Sequence, residues 1–197
     1  MNQGQLSELL YQALETELGG VQVYETALRC AQNDDLRGEW EKYHKQTTRH
    51  VEIVEGLLAA FGLDPGVDTP GRGVVRHIGN SLVKAMEMAL ADGPKAGAEL
   101  VAAECVTLAE TKDHLNWELI GEVAGRVKGA RGEALRAAYE EVEEQEDEHL
   151  YHTTGWGREL WFKSLGMPSV LPPPEEQKEV KTAIGAARAK QARSEMI

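Results

Sequence analysis

Hydrophobic and polar positions repeat with a helical period along almost the whole chain. Over residues 5–32 an apolar face runs through Leu6, Leu10, Ala13, Val21, Tyr24 and Leu28, with Glu17 in its middle. Asn33, Asp34 and Asp35 supply a cap and a tight turn. A second pattern then passes through Leu36, Trp40, Tyr43, Thr47, His50, Val54 and Leu57 to Phe61, where Gly62 and the Asp64-Pro65-Gly66 loop stop it. A connection rich in glycine and proline leads to a shorter helix predicted over 74–91, through Val75, Ile78, Leu82, Met86 and Ala89. The third long pattern covers 95–128 and aligns Leu100, Ala103, Thr107, Glu110, His114, Trp117, Gly121 and Ala124. After a glycine-flanked turn at 129–132, a fourth aligns Leu135, Tyr139, Val142, Glu146, His149, Thr153, Trp156 and Leu160.

These elements predict an all-α bundle over residues 1–165, with a long crossover that contains a short helix. A proline-rich linker and a basic helix or tail follow over 166–197 and dock on the bundle or on a partner. A turn as short as the one near 33 forces its two helices antiparallel, so reflection about it brings Glu17 level with His50. The same operation about 129–132 brings Glu110 level with His149.

Glu146 and His149, three residues apart, point the same way from one helix. Ionisable groups from four helices thus fall in core stripes at one level. Unpaired burial would cost each several kcal/mol, so they must be neutralised, paired, or holding a cation. Mixed carboxylate and imidazole donors favour iron, manganese or zinc over calcium or magnesium, and His114, one turn after Glu110, is a sixth candidate ligand. His44 and His152 fall beside the stripes.

Charge and composition narrow the function further. The net charge of -12, with no basic face, argues against nucleic-acid binding. No stretch approaches the roughly 20 apolar residues of a membrane span, and the N-terminus lacks a basic leader, so the expected setting is cytoplasmic. Cys30 and Cys105 lie far apart in separate helices and suggest neither a disulfide framework nor a zinc site. The glycines after Pro70 follow no strand, so no phosphate-binding loop is indicated. Residues 140–148 hold seven carboxylates, whereas 180–193 hold four basic residues and no acid. That basic segment suits the acidic surface of its own or a neighbouring subunit, and a homo-oligomer, a dimer above all, is expected.

The set Glu17, His50, Glu110 and Glu146-x-x-His149 resembles the ligand pattern of the ferritin-like, rubrerythrin-like superfamily of carboxylate-bridged metal proteins. The resemblance covers about residues 5–165 and implies a ferritin-like four-helix bundle holding one or two ions per chain. Iron is the first choice, with manganese or zinc as alternatives. It implies a redox protein acting on oxygen, peroxide or iron, that is, a metal-dependent oxidoreductase. Thr47 stands where that family places a second-helix glutamate. A looser similarity, through His44, Thr48 and His50, is to small stress-related ferritin-like proteins of bacteria. The alternative from another class is a non-catalytic helical bundle with a decayed site, acting through oligomerisation or partner binding by its tail.

Overall fold

The computed structural model describes all 197 residues and contains helices but no strand. Its elements are α1 (Gln3–Cys30), α2 (Asp34–Phe61), α3 (Pro70–Asp92), α4 (Lys95–Ala124), α5 (Ala130–Ser164), α6 (Pro174–Gln177) and α7 (Ala183–Ala192), with a closing 3₁₀ turn at Arg193–Glu195. Local chemistry sets the boundaries. Asn33 caps α2 by accepting from the backbone N–H groups of Asp35 and Leu36, and Gly62 ends it in the left-handed conformation, φ 70°. α3 begins at Pro70, four residues before the apolar pattern does, because Thr69 caps it and proline fits the first helical position. α4 stops at Ala124, short of Lys128, with Gly125 as its cap.

The three-residue turn at 31–33 makes α1 and α2 antiparallel. α3 returns alongside α1 in the same direction, with Arg72 bonded to Glu15 and Gly79 backbone against Gly19 where the two helices cross. α4 starts where α1 ended, since Glu99 Oε1 accepts from the N–H groups of Gln32 and Asn33, both at 2.6 Å. It then runs back antiparallel to α1, past the Asn116–Thr16 hydrogen bond. α5 reverses once more and meets α2 through Lys42–Glu148 and Arg49–Glu141. Helices α1, α2, α5 and α4 therefore close a ring, and α3 lies outside it against α1 and α4.

The interior is two apolar cores rather than one. Val23, Tyr24, Leu36, Trp40, Met86, Val106 and Trp156 fill one end of the bundle. Leu10, Leu14, Leu58, Trp117, Ile120, Leu135 and Val142 fill the other. Between them lies a layer in which the buried side chains are polar, among them Glu17, Thr47, His50, Glu110, Asp113, Glu146 and His149. The C-terminal segment lies along α5: Glu175 pairs with Arg158, Arg193 with Glu159, and Lys181 with Glu144 and Glu148. No helix is long and apolar enough to cross a membrane.

Candidate metal centre

Each helix of the ring sends at least one group into the polar layer: Glu17 from α1, His50 from α2, Glu110 from α4, and Glu146 and His149 from α5. Glu17, His50 and Glu146 form one group whose ligand atoms all lie within 4.8 Å of one another, and Glu110, Glu146 and His149 form a second. Glu146 belongs to both. Its Oε1 lies 3.1 Å from His50 Nδ1 and 3.5 Å from His149 Nδ1. Glu17 Oε2 is 3.6 Å from His50 Nδ1, and Glu110 Oε2 is 3.4 Å from His149 Nδ1. None of these approaches has the geometry of a hydrogen bond, so both oxygens of Glu146, one each of Glu17 and Glu110, and both Nδ1 atoms are buried without a hydrogen-bond partner.

The outer edges of these side chains are, by contrast, held. His50 Nε2 lies 3.1 Å from Gln145 Oε1, and His149 Nε2 lies 3.0 Å from Gln46 Oε1. A carboxamide oxygen only accepts, so each Nε2 carries a proton, and Nδ1 is the atom that faces the centre, able to ligate once its own proton leaves. Trp117 Nε1 donates to Glu17 Oε1 at 2.7 Å. The rings of His50 and His149 stack at 5.8 Å, and the Tyr43 ring packs 4.3 Å from His149. Tyr43 Oη in turn meets His152 Nδ1 at 3.0 Å, while His152 Nε2 donates to the Val180 carbonyl.

Charge in the layer is balanced only by protons. Burial lowers the pKa of both imidazoles. Glu146 and Glu17 outweigh it at His50, raising its pKa to about 10, and Glu110 and Glu146 do the same at His149, to about 9. Burial pushes the Glu146 carboxyl up, yet His149 and His50 hold it at about 2. Glu17 goes the other way, because burial prevails over His50.

A fourth carboxylate, Asp113, shares the layer, although the stripe through Thr107, Glu110, His114 and Trp117 passes it by. It is buried with Oδ1 unpartnered, and burial, then Glu17, Glu146 and Glu110, raise its pKa far above the usual range. Glu110 and Trp117 are seven residues apart, and a helix passes between them through position 113 or position 114. The structure takes 113. The more apolar register, Val106 and Ile120 instead of Thr107 and Gly121, was the available signal, and it rotates Asp113 inward. His114 consequently stands outside both groups, about a quarter exposed, with Nδ1 3.4 Å from Asp147 Oδ1.

Thr47 sits buried in the layer, against Gly20 of α1. His44 is partly exposed beside Glu25. A third group, Glu39, His152 and Glu176, has both His152 nitrogens already bonded and shares its pocket with Lys42 and Lys181, so fixed cations already meet its charge. Cys30 and Cys105 are free, buried thiols.

No family model, curated protein or solved structure matches this chain.

Proposed function

We propose that the polar layer is a metal centre that would hold two ions, with Glu146 common to both ligand groups, and that the protein is a ferritin-like metal-binding protein with redox chemistry. The observation that carries this reading is Glu146 itself. It is buried, it keeps its charge, both its oxygens lack hydrogen-bond partners, and it lies between two equivalent glutamate–histidine pairs. Glu17 and His50 would hold one ion, Glu110 and His149 the other. With Asp113 the layer offers four carboxylates against the four positive charges of two divalent ions, which answers the loss of a carboxylate at Thr47. None of the four is paired with lysine or arginine.

Nitrogen and carboxylate donors together suit iron, manganese or zinc, in that order for a redox function. When bound, such ions supply Lewis acidity and, for iron and manganese, one-electron chemistry toward oxygen, peroxide or ferrous substrate. The chain's own residues set the conditions. Gln46 and Gln145 fix the ring tautomers, Trp117 orients Glu17, and two apolar cores keep bulk water from both sides. Elemental analysis of protein purified without chelator tests the reading, alongside Glu146→Gln and His149→Ala variants. About two ions per chain, lost in both variants, is expected. Failure of the wild-type protein to take up any of the three metals from excess would overturn it, and would favour a helical bundle that acts by association.

A further inference from the structure

The metal centre is buried, yet one of its groups also borders open space. A polar cleft of about 230 Å³ lies beside α4 and α5, and Glu146 is part of its lining. Carboxylates mark the way inward: Glu118 and Glu143 are exposed, Asp147 is half-buried, and Glu146 is buried with both oxygens unpartnered. No lysine or arginine lines the cleft, and its one basic group, His114, faces Asp147. Thr182 and Ala183, at the start of α7, line it from the C-terminal segment. Since a water takes up roughly 30 Å³, this space admits a cation with much of its hydration shell.

We propose that this cleft is the route by which divalent cations reach the centre, with Asp147, Glu118 and Glu143 as the carboxylates that attract and pass them inward to Glu146. The inference rests on the reading of the polar layer as a metal centre and adds where the metal comes in. A funnel lined by one sign of charge raises the local concentration of the opposite ion and speeds its association. Each carboxylate along the path also replaces some of the water that the ion sheds.

The test is the rate of Co²⁺ uptake by chelator-stripped full-length protein, followed by visible absorbance in a stopped-flow instrument. The comparison is between wild type, the Glu118→Gln/Asp147→Asn variant, and Glu55→Gln, which removes an exposed charge on α2. Steering of this kind is worth about 10-fold or more, so the double variant is expected to load about 10-fold more slowly, with the same final Co²⁺ per chain. The wild-type rate is expected to fall as salt rises, and Glu55→Gln to match wild type. If the double variant loads at the wild-type rate, the route is wrong while the centre stands. If wild-type protein binds no Co²⁺ at equilibrium, the centre and the route fail together. Should the double variant misfold, the salt dependence of the wild-type rate still decides, because a rate indifferent to salt overturns the funnel.

Discussion

Helix α5 buries two glutamates one way and then the other. Glu159 is fully enclosed and fully answered: Oε1 accepts from Arg158 at 2.8 Å and from Arg193 at 2.6 Å, and Oε2 accepts from the Val170 N–H at 2.8 Å. Glu146, thirteen residues earlier on the same helix, is equally enclosed and has no hydrogen bond at all. On α1 the contrast recurs between Glu15, held by Arg72 and Arg76, and Glu17, only two residues on. Buried acid is therefore not in itself a sign of function. Where this chain uses a carboxylate to hold helices together, fixed donors come with it: arginines at Glu15 and Glu159, backbone N–H groups at Glu99. Where it brings carboxylates and imidazoles together with neither arginine nor lysine beside them, as around Glu146, the counter-charge has to be mobile, as protons or as metal.

The widest separation of the two kinds of site should come from Glu159→Ala. Breaking a buried ion pair by removing one partner costs about 3–5 kcal/mol. A drop of that size in denaturant-derived stability is expected, with metal content per folded chain unchanged, and a loss of metal instead would merge the two sites into one.

Glu146→Gln should do the reverse. Saturating metal at 100 times Kd stabilises a folded protein by about 2.7 kcal/mol, and that gain should vanish, while the chelated variant unfolds at or above the wild-type temperature. A chelated variant much less stable than wild type would make Glu146 a structural acid like Glu159.

Smaller effects should follow from Gln46→Ala and Gln145→Ala, which free the Nε2 of His149 and of His50 respectively. Loss of such an outer hydrogen bond typically weakens metal affinity 10- to 100-fold, readable by competition with a chelator of known affinity. An unchanged affinity in both would mean that the rings are oriented by packing alone.

The same layer should also show a pH trend. His50 and His149 have folded pKa values raised from 6.5 to about 10 and about 9, so their stabilisation is complete below pH 6.5 and is lost as pH rises through 9 and 10. The Tm of chelated protein should fall across that window. Metal affinity should rise with pH over the same range, because the ions displace those protons. A chelated Tm that is flat or rising from pH 6.5 to 10 would mean the imidazoles are neutral in the folded protein.

Much of the arrangement was legible beforehand, for physical reasons. Turns as short as 31–33 and 125–129 force the helices they join antiparallel, which is why reflection placed Glu17 opposite His50 and Glu110 opposite His149. Large stripe residues such as Trp40, Trp117 and Trp156 were readable as interior, because a helix has one inward face and they are too large to waste off it. The finer rotation of α4 was not readable from one stripe alone. Positions 113 and 114 differ by a single helical step, and a histidine beside a glutamate looked like the ligand when the apolar weight lay one residue back. Nor could local pattern show that Gln46 and Gln145 back the two histidines, because each partner lies on a different helix, far away in sequence. The C-terminal segment showed its charge but not its seat, which depends on Arg158, Glu159 and His152 meeting it in space.

The contact between Gly20 and Thr47 bears on how this polar layer can change over generations. A Cβ built on Gly20 would come within 3.1 Å of the Thr47 methyl, closer than side chains ordinarily approach. Residues in contact do not vary independently. A lineage that replaces Gly20 first fills the room a longer side chain at 47 would need, whereas one that changes 47 first still has it. Whether a carboxylate can arise at position 47 is therefore a matter of the order in which two substitutions occur, and the glycine on α1 keeps that path open.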